Sequence, residues 1–283
     1  MSKELKVQRE CQKGLLRIIE HNDEILTACL QLVIERHPIA TKRMTILLAA
    51  AMKTRELKKA ITLLGSSRLN DEMLVLLRTM MELIVNTCYL QDSSEQEVDR
   101  YLNLDAITHH GVLQNFMAAT QGSFGRPSLA KPIKERAKAA SDASGIKLGS
   151  RKWALEHKTL ESRAAFADEV LGTNLFSTFL TTVYGFGSGY THASYQTLSK
   201  HTKYLETGEK QHSLHTHFGV TNALLGLSYA QNVLNRYLAR RFNFSMGAML
   251  NNSAEANRLS EISRKDFARH KQNLEARMHN SAE

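Results

Sequence analysis

Proline, cysteine and tryptophan are scarce in this chain: three, three and one among 283 residues. So few prolines leave long helices uninterrupted. Cys11, Cys29 and Cys88 are odd in number, far apart and without a CxxC pair, which excludes a disulfide framework and a cysteine metal cluster. They read as small buried hydrophobes in a reducing compartment. No run resembles a membrane span. The longest purely apolar stretch, Ile46 to Met52, has seven residues, against the roughly 20 that a bilayer requires. The N-terminus, MSKELKVQRE, is charged and has no apolar segment behind it, so no secretory leader is legible. These absences together predict a soluble cytoplasmic protein with no membrane partner.

What is abundant is Ala, Leu, Met, Glu, Lys and Arg, a mixture that favours helix over strand. The expected fold is all-α, a single bundle of about eight helices over residues 1–250, with 251–283 as a polar, charged C-terminal helix or tail. Apolar periodicity and breakers predict helices over 4–35, 41–64, 70–90 and 95–120, a short one near 131–141, then 153–171, 174–198 and 214–242. A polar loop is expected at 200–211.

Net charge is +9, unevenly spread. Residues 126–159 hold nine Lys and Arg against three acids, whereas 61–125 hold three basic residues against eight acids. Such a basic segment either attracts a phosphate backbone or is a solvated surface. On the first reading Lys131, Lys134, Arg136, Arg151 and Lys152 are candidate substrate contacts.

The third predicted helix, LVLLRTMMELIVNTCYL over 74–90, is apolar nearly all the way round and should be buried. It nonetheless carries Arg78, Glu82 and Asn86 at four-residue spacing, on one side of the helix. Arg78 and Glu82 are expected to pair, because a buried charge is rarely left alone. The pair either locks two helices together or lines a cleft in which Arg78 holds an anion, Glu82 orients it or moves a proton, and Asn86 contacts substrate.

A second stripe lies in YGFGSGYTHASY, residues 184–195. Tyr184, Ser188, His192 and Tyr195 share a helical face, and three interleaved glycines point to close backbone approach. GFGSG lacks the ending of a phosphate loop. His192 suits general acid/base work near neutral pH, and Ser188 stands one turn away; a hydrogen bond between helix turns is the plainer reading. Three other features carry less. His212, His215 and His217 (HSLHTH) have no acid or cysteine beside them, and no metal or cofactor is expected. His109 and His110 read as surface or packing residues. Met80 and Met81 belong to the core.

The order Arg78-x-x-x-Glu82, Trp153, Glu161-Ser-Arg-Ala164, Tyr184, Ser188-x-x-x-His192-Ala-Ser resembles a bacterial all-helical family catalogued as a domain of unknown function, itself similar to the HEPN helical domains. That resemblance implies an HEPN-like bundle, often dimeric, acting as a metal-independent ribonuclease in toxin or anti-phage defence systems. The usual signature of those enzymes, Arg, four to six residues, then His, is matched from Arg264 to His270, in a highly charged segment. The resemblance therefore places catalysis on Arg78, Glu82, Ser188 and His192, with Asn86, Tyr184 and Tyr195 on the substrate and RNA as partner. The competing expectation is a non-enzymatic helical sensor or scaffold that binds a protein or an anionic ligand.

Overall fold

The structure, a computed structural model, describes residues 3–36, 41–119, 127–148, 150, 152–181 and 209–280. Among these are nine helices and no strand: α1 (Lys3–Arg36), α2 (Lys42–Ser66), α3 (Asn70–Asp92), α4 (Glu95–Ala119), α5 (Pro127–Ser144), α6 (Leu160–Leu171), α7 (Leu175–Phe179), α8 (Glu209–Arg241) and α9 (Gly247–Asn280).

α1, α2, α3 and α8 enclose the main core. Leu15, Ile19 and Leu26 meet Leu47 and Ile61, Leu77, Met80 and Ile84, and Leu224, Leu227 and Leu234. By length and composition alone α3 is long and apolar enough to cross a membrane, a property that a buried core helix shares. Here its apolar side chains face α2, α6 and α8. Gly219 of α8 lies so close to α3 that an added Cβ would stand 2.8 Å from the Asn70 amide.

α9 closes the bundle against α1 and α8. Met249, Ala256 and Leu259 join the main core. Polar bridges fix its register. Asn252 donates to Asn22 Oδ1 at 2.7 Å, and the Ser263 hydroxyl donates to Gln8 Oε1 at 2.7 Å. Both acceptor residues are fully buried, where a polar group without a partner is costly; Gln8 Oε1 accepts from the Thr221 hydroxyl as well, at 3.1 Å.

α4 and α5 pack on each other over a second, smaller core of Tyr89, Leu90, Val98, Ile107, Ala140, Ile146 and Trp153. The structure corrects one boundary here. Helix was expected from Trp153, but 152–159 is irregular and α6 begins at Leu160. The buried Glu97 carboxylate captures the N–H groups of Leu155 and Glu156 at 2.8 and 3.2 Å, in place of helical acceptors. Thr159 then caps α6 by accepting from Ser162 N. α5 is longer than expected, and α8 starts inside the expected 200–211 loop. Of the helix expected over 174–198, only 174–181 falls among the described residues.

Candidate functional site

α3 presents its polar side where expected. Arg78 Nε donates to Glu82 Oε1 at 3.2 Å, one turn apart. The Arg78 side chain is 17% exposed and that of Glu82 41%, so this pair is not sealed in the core. An i,i+4 pair of that exposure contributes a few tenths of a kcal/mol, about 0.3–0.5.

One turn further, Asn86 meets a residue that spacing alone did not single out. Arg163 of α6 donates through Nε to Asn86 Oδ1 at 2.7 Å, and through Nη1 to the His157 carbonyl at 2.9 Å. Its guanidinium lies over the Trp153 ring, 5.1 Å from the centroid, a cation–π placement. Arg163 is buried. Burial pulls its pKa down, and Tyr89, Glu97, Glu161 and Glu82 act in the opposite sense. Arginine keeps its charge across such shifts. The arrangement is a cation held behind the α3 stripe by an aromatic ring on one side and an amide oxygen on the other.

That support is itself supported. Arg100 of α4 donates to the Trp153 carbonyl at 2.6 Å and to the Ser144 carbonyl at 2.8 Å, tying down the backbone that carries the indole. Glu97 Oε1 also accepts from the Tyr89 hydroxyl at 2.9 Å. Burial and this carboxylate push the Tyr89 phenol well above its ordinary range, so it stays a donor. Tyr101 and Tyr89 pack edge-on or tilted against Trp153 at 5.0 and 5.8 Å. The sequence signals for these residues are weak. Arg163 lies inside Glu161-Ser-Arg-Ala164, and Glu97 sits three residues after a serine, which reads as a helix cap.

The other sequence candidates fall elsewhere. Lys131, Lys134 and Arg136 are exposed on α5, which packs on α4, and Lys152 is exposed ahead of Trp153. Lys131 stands 4.0 Å from Glu135 on the same helix. Arg151, Tyr184, Ser188, His192 and Tyr195 lie outside the described residues. So do the side chains of His212, His215 and His270; Arg264 is exposed on α9. His217 is buried on α8, with Nδ1 3.5 Å from the Gln12 amide nitrogen. Burial, then Arg68 and Arg9, lower its pKa.

The model of a family of unknown function (DUF5677) matches residues 44–212, from α2 into the start of α8. The matched span includes Arg78, Glu82, Asn86, Trp153 and Arg163. No curated protein and no solved structure matches the chain.

Proposed function

The chain belongs to this family of unknown function (DUF5677), and we propose that it is an HEPN-like, metal-independent ribonuclease of a cytoplasmic bacterial defence or toxin system. The observation that carries the proposal is the Arg78–Glu82–Asn86 stripe on a core helix, half open to solvent and backed by the buried Arg163. A charge pair that served packing alone would be sealed between helices; this one leaves its carboxylate accessible.

In the proposed reaction a ribose 2′-hydroxyl loses its proton to a base and attacks the adjacent phosphorus. The 5′-oxygen leaves with a proton from an acid, and a 2′,3′-cyclic phosphate remains. His192 is the acid/base group, and Arg78 neutralises charge on the phosphate oxygens. Glu82, Asn86, Ser188, Tyr184 and Tyr195 position substrate. Lys131, Lys134, Arg136, Arg151 and Lys152 hold the flanking strand through its phosphates. A second copy of the chain or another defence protein is the proposed partner.

The bond between Asn86 and Arg163 favours a second reading, in which the stripe only clasps α3 to α6 in a non-enzymatic sensor or scaffold. Incubation with total RNA and with isolated tRNA, with and without EDTA, separates the two. Cleavage that survives EDTA and disappears in His192→Ala and Arg78→Ala, with melting temperatures unchanged, is the expected result. Full cleavage by both variants, or none by the wild type, overturns the ribonuclease assignment.

A further inference from the structure

Arginine has hydrogen-bond donors only. The atom of Asn86 that meets Arg163 Nε at 2.7 Å is therefore the carbonyl oxygen, and the NH2 group is turned away from Arg163. The orientation of this amide is thus dictated chemically. Among the described residues no acceptor takes the two Nδ2 hydrogens, and Asn86 is partly exposed. The stripe then presents a guanidinium at Arg78, a carboxylate at Glu82 and an outward amide donor at Asn86. A cation bonded to the carbonyl end of an amide polarises it and strengthens its N–H donors, most of all in a site screened from water. Arg163 is such a cation: buried, stacked on Trp153, and unable to turn because His157 takes its second donor.

We infer that Arg163 is a positioning residue that orients and polarises the Asn86 amide to donate to an anionic oxygen of the ligand, a non-bridging oxygen of an RNA phosphodiester. The inference rests on the stripe being the RNA site. An anionic acceptor is favoured over a neutral carbonyl because the positive charge lies directly behind the donor. Trp153, Arg100 and Glu97 act through Arg163 and touch no ligand.

Asn86→Asp is the discriminating variant. It keeps an oxygen for Arg163, now as an ion pair, and so preserves the clasp between α3 and α6. It replaces the outward donor by an acceptor. The probes are an oligoribonucleotide methylated on every 2′-oxygen, which lacks the attacking hydroxyl, and inorganic phosphate alone. Binding is read by titration and by the Asn86 side-chain amide signals of 15N-labelled protein.

The expected result is movement of the Asn86 amide signals on adding the oligonucleotide. Asn86→Asp should melt no lower than wild type yet bind about tenfold or more weakly. Arg163→Lys, which cannot hold both acceptors, should remain folded and lose part of the affinity. Movement with phosphate alone identifies the single anionic group as sufficient and supports the same assignment. Unchanged affinity in Asn86→Asp overturns it, as does an Asn86 signal that neither probe moves. These outcomes are separate from the ribonuclease question. A wild type that binds the methylated strand through Asn86 but cleaves no RNA keeps this inference and loses the enzyme. A wild type that cleaves RNA with Asn86 unmoved does the reverse.

Discussion

Glu82 and Arg163 flank the same stripe from opposite sides of the solvent boundary, and their substitutions should differ accordingly. Glu82→Gln removes one half-exposed i,i+4 partner and should change stability by no more than about 0.5 kcal/mol. Arg163→Ala empties the space over Trp153 and removes the donor from two partly buried acceptors. It should destabilise the fold by about 3 kcal/mol, read as a drop in the urea midpoint. The activity assay supplies the contrast: Glu82→Gln should lose cleavage at nearly wild-type stability. His217 makes a further residue-scale prediction. Its pKa is held below the ordinary value of 6.5 by burial first and then by Arg68 and Arg9. As pH falls through 6.5 the unfolded chain takes up this proton before the folded one, so stability falls towards the folded pKa and is regained above 6.5. Melting temperature between pH 7 and 5 should therefore fall less steeply in His217→Gln than in wild type.

At the scale of elements, α3 and α8 run close together at Asn70 and Gly219. An alanine at 219 would place its Cβ 2.8 Å from the Asn70 amide nitrogen and 3.0 Å from its Cγ. Overpacking of this kind costs about 1–3 kcal/mol. Gly219→Ala should lower the thermal midpoint, and adding Asn70→Ala, which deletes the two nearest atoms, should recover most of the loss. A recovery no larger than the sum of the single effects would show that the two helices do not couple there. The start of α6 shows why helix boundaries were only partly legible. Apolar spacing continues back to Trp153, but Glu97, distant in sequence, takes the backbone N–H groups that a helix would have used. Periodicity reports which face is apolar; it does not report which carboxylate will arrive from another helix. α3 was legible for the opposite reason. Its residues are apolar on nearly all sides, so any compact fold must surround it, and its Arg-x-x-x-Glu pair closes within the helix itself.

At the scale of the whole molecule, the polar and charged α9 is part of the bundle rather than an appendage. Its Met249, Ala256 and Leu259 sit in the main core, and its Asn252 and Ser263 satisfy the buried Asn22 and Gln8 of α1. A chain ending at residue 246 would expose those apolar faces and strip Asn22 and Gln8 of their bonds to α9, leaving Asn22 bonded to Ser228 and Gln8 to Thr221. It should lose cooperative melting, as followed by circular dichroism against the full chain. Composition and periodicity by themselves determined the all-helical class, the central burial of α3 and the placement of Arg78, Glu82 and Asn86 on one side of it. These follow from interactions within a helix, whose 3.6-residue repeat is written in the sequence. Only the tertiary structure decided that Arg163 stands behind Asn86, that Arg100 ties down the backbone of Trp153, and that a charged C-terminal helix completes the core. Those contacts join residues 53 to 255 positions apart, and nothing in local spacing encodes which distant partner a buried polar group will find.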